Sequence, residues 1–137
     1  MNPLKKVAAD ANVILSAVIG KAALKVFTES PVEVVTTHLN LDEVQEYMPS
    51  LASKYTLEEK VLQTQLKLLP LEVFQREFYQ DFLRQAEERI GRIDPDDIDL
   101  LALGLKLNIP IWTNDSDFQG LKIKTYTTAE LLKALEI

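Results

Sequence analysis

Short runs that are apolar or β-branched along nearly their whole length recur in this chain: "VAA" ahead of Asp10, "PVEVVTT" from Pro31 and "IPIWTN" ahead of Asp115. A strand with one solvated face alternates apolar and polar residues; a strand covered on both faces does not need to. Stretches of helical period separate these runs. Strands alternating with helices predict an α/β fold, a three-layer α/β/α sandwich around a mainly parallel sheet of about five strands. Right-handed crossovers then bring the C-terminal strand ends to one edge, where open sheets of this kind form their sites.

The segments follow in order. "KKVAADANVILSAV" begins extended and stops at Asp10; Asn12 can cap the helix that follows, with Leu15, Val18, Ile19, Ala22 and Val26 marking its face. After the strand "PVEVVTT", "NLDEVQEYMP" predicts a helix capped by Asn40 and ended by Pro49. "TLEEKVLQTQLKLL" predicts another, with Thr56 and Glu59 as a capping box. "LPLEVF" is a less marked strand. "QREFYQDFLRQAEERIG" is an amphipathic helix ending at Gly91. "DPDDIDLLALGLKLN" is a helix apolar on most sides, hence well buried, and it leads into the strand "IPIWTN". "IKTYTT" and "TAELLKALEI" close the chain as strand and helix.

A chain of 137 residues fits one domain, 1–137, with one real core, and its 47% apolar content is ordinary for a globular protein. It has no cysteine, which excludes disulfides, thiolate zinc sites and a cysteine nucleophile; the single histidine, His38, excludes a multi-histidine metal site. No apolar run approaches the roughly 20 residues of a membrane span. "MNPLKK" leads directly into a strand, so no signal peptide is apparent and a cytoplasmic protein is expected. The net charge of −6 argues against a broad basic footprint.

Acids gather where the topology predicts a site. Asp10 ends the first strand and Asp115 the fourth, with Asp117 two residues on. Glu43 falls in the first turns of the helix after the second strand, and Asp97 in the first turn of the helix before "IPIWTN". Like charges so placed take up protons or are neutralised by divalent cations. Hard oxygen ligands select Mg²⁺ or Mn²⁺. Each acid also has a plainer role: Asp10 as a turn before a helix, Glu43 as a solvated helical charge, Asp115 and Asp117 as turn residues. Asp94 as N-cap with Pro95 at N1 would put Asp97 at N3, where an acid favours the helix dipole. Those separate roles do not predict that the acids converge. His38 is expected to be a strand-end residue without chemistry, and Trp112 and the leucines of 100–107 to be core.

The succession "VAADANVIL", "LNLDEVQEYM", "DPDDIDLLALGLKLNIPIWTNDSDF" resembles a PIN domain, the fold of many VapC-type toxin ribonucleases, over nearly the whole chain. The resemblance places the family's first acid on Asp10, its second on Glu43, its third on Asp97 and its fourth on Asp115. It places an additional acid on Asp117 and supporting polar positions on Asn12 and Thr113. It implies bound Mg²⁺ or Mn²⁺, hydrolysis of RNA phosphodiesters and a possible antitoxin protein as partner. The sequence departs from relatives at Ser116, where they often carry a basic residue. Asp94, Asp96 and Asp99 compete with Asp97, and Asp42 and Glu46 with Glu43. Lys21, Lys25, Lys122 and Lys124 are candidates for a basic rim. Relatives often pair through helices, so a homodimer is expected through 51–65 and 74–90, using Leu57, Val61, Leu62, Phe74, Phe78 and Phe82.

A haloacid-dehalogenase domain also begins with a strand-end aspartate, but wants a second acid where this chain has Asn12. A receiver domain wants an acidic pair near the first strand. The non-enzymatic alternative is a PIN-like module kept for protein binding.

Overall fold

The structure, a computed structural model, describes residues 4–90 and 97–137. Its five strands are β1 (Lys6–Ala9), β2 (Glu33–Thr37), β3 (Leu71–Phe74), β4 (Ile111–Trp112) and β5 (Thr125–Tyr126). They form one sheet in the order β3-β2-β1-β4-β5, and every pairing is parallel. The helices are α1 (Ala11–Val18), α2 (Leu24–Glu29), α3 (His38–Lys54), α4 (Glu59–Leu68), α5 (Arg76–Tyr79), α6 (Leu83–Ile90), α7 (Ile98–Leu107) and α8 (Thr128–Leu135).

The strand residues show why both faces are covered. Val7 and Ala9 of β1, Val34 of β2 and Trp112 of β4 point into one core, with residues of α1 to α4 and Leu131 of α8. Their neighbours Ala8, Val35 and Ile111 point into a second core, with Tyr79, Ala86, Ile90 and Leu100 to Leu103. Successive strand residues face opposite ways, so a run that is apolar throughout feeds both layers. The α/β/α sandwich expected from the sequence is the fold observed. Gly104 lets α7 lie close to β4, because a Cβ there would come within 2.7 Å of Ile111 Cδ1. Among the described residues, no helix is long and apolar enough to cross a membrane.

Several local expectations are corrected. Asn12 is exposed inside α1, and the cap is Asp10, whose Oδ1 accepts from the Val13 N–H at 2.9 Å. The helix face from Leu15 to Val26 belongs to two helices. The chain breaks at Gly20, whose φ of +85° favours glycine, and Ala22 is exposed. Asn40 is buried within α3, which Thr37 caps. Pro49 does not end that helix, which runs on to Lys54 because Met48 and Ala52 on either side of it are held in the core. Thr56 and Glu59 form no capping box. Thr56 sits at φ +54° in the reversal after α3, and α4 begins at Glu59.

The helix expected over 75–91 is divided by a 3-10 turn at Gln80–Phe82, where buried Tyr79 anchors the chain to the second core. The expected ends at Gly91 and Asp94 lie outside the described residues. His38 opens α3, and its Nε2 is buried with no hydrogen-bond partner among the described residues. Of the residues expected at a dimer surface, Leu62 belongs to the monomer core, and Phe74 and Phe82 pack against the second core. Leu57, Val61 and Phe78 are exposed.

Candidate active site

The order β3-β2-β1-β4-β5 changes direction between β1 and β4: the chain steps outward from β1 through β2 to β3, then returns to the other side of β1. Such a switch point opens a crevice at the strand C-termini. Asp10 follows β1 there, and Asp115 lies three residues beyond β4. The Asp10 N–H donates to the Trp112 carbonyl at 3.2 Å, extending the strand pairing to the threshold of the site. Asp10, Asn12, Asn114, Asp115 and Ser116 line an open cleft of about 450 Å³.

Thr113 ties the two aspartates together. Its buried hydroxyl donates to Asp10 Oδ2, and its oxygen accepts from the Asp115 N–H at 3.0 Å. Burial pushes the Asp10 carboxyl above the usual carboxylate range; the bonds from Thr113 and the Val13 N–H pull it down, and neighbouring Asp115 pushes it up again. A buried carboxyl beside a second one gathers acidic groups at the wall of an open cleft.

The loop carrying Asp115 is held from both sides. Asp115 Oδ1 accepts from the Asp117 N–H at 3.0 Å, closing a 3-10 turn at Ser116–Phe118 whose Phe118 is fully buried. On the other side, Asn114 Oδ1 accepts from the Thr128 N–H at 2.8 Å, and Trp112 Nε1 donates to Thr128 Oγ1 at 3.0 Å. The start of α8 thereby fixes the exit of β4. Asn114 was not among the site residues expected from the sequence, where an asparagine after a strand reads as an ordinary turn residue.

The remaining acids sit on other elements. Glu43 lies in the second turn of α3 and lines a cavity of about 260 Å³ that shares Asn12 with the Asp10 cleft. Asp97 is the N-cap of α7, one residue before the first turn in which the sequence placed it. Asp117 belongs to the 3-10 turn. Among the described residues, no three acidic side chains stand close enough together to hold a metal ion. Asp10 and Asp115 line one cleft.

Asp99, a neighbour of Asp97 in sequence, has a different role. It is 3% exposed. It accepts from the Tyr79 hydroxyl and takes Arg76 in two contacts, Nε at 3.3 Å and Nη2 at 3.1 Å. Burial, then the bond to Asp99, pushes the Tyr79 hydroxyl well above the ordinary tyrosine range, so it remains a donor. Arg76 and Asp99 line a cavity of about 430 Å³ together with Asp42, Glu43 and Glu46. This cluster fixes α5 against α7 beside Glu43. The signal in the sequence was an acid inside an otherwise apolar helix, which needs a partner once buried.

The PIN domain family model matches residues 8–136 of the chain. Among solved structures, PAE2754 from Pyrobaculum aerophilum is similar at 16% identity and a TM-score of 0.72, over 97% of this chain and 90% of that one. VapBC2 from Rickettsia felis, bound to a DNA fragment from its promoter, is similar at 16% identity and a TM-score of 0.62, over 89% and 98%. VapC20 from Mycobacterium tuberculosis, a sarcin-ricin loop cleaving toxin, is similar at 17% identity and a TM-score of 0.59, over 85% and 95%. Comparison with curated protein sequences gave no match.

Proposed function

We propose that this chain, which belongs to the PIN domain family, hydrolyses RNA phosphodiester bonds with Mg²⁺ or Mn²⁺ and acts as the toxin of a toxin–antitoxin pair. The observation that carries this is the pairing of Asp10 and Asp115 across the switch point in one open cleft. The similarity of fold to a toxin-antitoxin complex from Klebsiella pneumoniae supports an antitoxin partner. The homodimer would rest on the exposed Leu57, Val61 and Phe78.

The donor set suits a hard cation: carboxylate oxygens at Asp10 and Asp115, no cysteine and one histidine in the chain. Asp10 and Asp115 would hold the ion, with Glu43, Asp97 and Asp117 as the further acids that match the family's pattern. Such an ion supplies an activated water and offsets charge on the phosphoryl oxygens. The chain's own contribution is orientation. Val13 and Thr113 fix the two oxygens of Asp10, and Thr113 and the 3-10 turn fix Asp115.

Incubating the chain with structured and single-stranded RNAs tests the proposal. Cleavage is expected with Mn²⁺ or Mg²⁺ and none with EDTA; cleavage that survives EDTA sinks the metal mechanism. Failure both to cleave and to bind metal would favour the alternative of a non-catalytic PIN-like module. Thr113→Val keeps the shape of the side chain but removes both of its hydrogen bonds. It is expected to weaken Mn²⁺ binding about 10- to 100-fold by calorimetry, while Thr113→Ser binds like wild type. Equal affinity in Thr113→Val would show that the hydroxyl does not orient the acids.

A further inference from the structure

Glu43, Tyr47, Ser50, Leu51 and Lys54 recur at helical spacing along α3 and share one face. With Asn12 and Leu15 of α1 they line one groove. Asn12 also lines the Asp10–Asp115 cleft, so the groove and the candidate active site adjoin at that residue. Tyr47, one turn beyond Glu43, is 49% exposed. At the far end, the Lys54 and Lys21 ammonium groups lie 5.6 Å and 5.2 Å from the centre of the Tyr55 ring. In a chain of net charge −6, the groove runs from Glu43 past Tyr47 to Lys54, with Lys21 beside it across the Tyr55 ring.

We propose that the groove between α1 and α3 is the track of a single-stranded RNA segment leaving the cleavage site, with a base stacked on Tyr47 and phosphates met by Lys54 and Lys21. The inference rests on the ribonuclease proposal and names the surface that binds its substrate. An acidic cleft repels a polyanion except where metal neutralises it, so RNA affinity must come from cations placed outside the cleft. Aromatic rings beside such cations are the usual platform for unpaired nucleotides, because every base presents a face that can stack. Lys54 lies in the last turn of α3, where its charge offsets the negative helix end that would otherwise oppose a phosphate. The same groove could seat a protein segment, but the two lysines and the exposed tyrosine match RNA in charge and stacking.

The test is fluorescence anisotropy with a fluorescein-labelled single-stranded RNA of about 12 nucleotides, in an Asp115→Asn background that silences cleavage. Tyr47→Ala is expected to weaken binding about tenfold, whereas Tyr47→Phe, which keeps the ring, binds like the parent. Lys54→Ala is expected to lower the slope of log affinity against log salt by about one. Both side chains are exposed, so melting curves should match the parent's. Unchanged affinity and salt slope in Tyr47→Ala and Lys54→Ala overturn the track and leave the groove to a protein segment. If wild type cleaves no RNA and the parent binds none, the ribonuclease proposal fails and takes the track with it. If wild type cleaves but both variants bind unchanged, the track alone fails.

Discussion

Asp10→Asn and Asp115→Asn are each expected to lower RNA cleavage by at least about 100-fold, the upper scale for disturbing a metal's support, with the fold intact. Asparagine keeps the shape of aspartate and removes a charged oxygen ligand. At position 10 it also keeps the helix cap, since asparagine caps about as well as aspartate and the Val13 N–H retains an acceptor. The sign of the stability effect follows from the raised pKa of Asp10. A carboxyl whose folded value exceeds its unfolded value stabilises the fold most in acid, and that contribution is lost as pH rises through the folded value. At neutral pH without metal, the charged carboxylate is a burden caused first by burial, with the charge of Asp115 adding to it. Asp10→Asn relieves this burden but takes the Oδ2 acceptor from the buried Thr113 hydroxyl, so it should melt near the wild-type temperature while losing activity, the pattern of a strained functional site. A variant that loses activity only because it melts earlier would place Asp10 among structural residues. Undiminished cleavage in Asp115→Asn would remove that residue from the mechanism.

Asp99→Ala is expected to cost about 3 kcal/mol of stability, at the low end for breaking a buried charged pair. Most of this belongs to the buried end of the cluster. The Asp99 side chain is 4% exposed and that of Arg76 55%, so the freed guanidinium regains water and its share is discounted. The fully buried Tyr79 hydroxyl loses the carboxylate it donates to. For a chain of this length the loss corresponds to a fall in melting temperature of roughly 10 °C. Asp99→Asn retains an acceptor for Tyr79 and should lose distinctly less. Calorimetric melting of the two variants beside wild type measures the difference. An Asp99→Ala protein that melts with wild type would show that the cluster does not hold α5 to α7.

The layering, the parallel sheet and the placement of Asp10 and Asp115 at strand exits were legible in the sequence. They depend on hydrophobic period and on the short-range chemistry of strand ends. Helix boundaries were less legible. Asn12, Asn40 and the pair Thr56 and Glu59 are all competent caps by composition, yet Asp10 and Thr37 hold those places in α1 and α3, and Glu58 stands at the start of α4. Capping depends on where the chain leaves the previous element, and packing of the previous element decides that. Pro49 is the clearest case. Locally it ends a helix, but burial of Met48 and Ala52 outweighs the lost hydrogen bond and the helix continues.

The sequence by itself determined that this chain forms a doubly covered parallel sheet with acids at its C-terminal edge, because a period of apolar residues survives in one dimension. Only the tertiary structure decided which acids meet. The return of the chain to the far side of β1 sets Asp10 beside Asp115 across 105 positions of sequence and puts Thr113 between them. It also separated two aspartates only two residues apart, leaving Asp97 at the head of α7 and drawing Asp99 into the core with Tyr79 and Arg76. Side-chain direction on a helix and strand order across a switch point are long-range outcomes of packing, and no local pattern of residues encodes them.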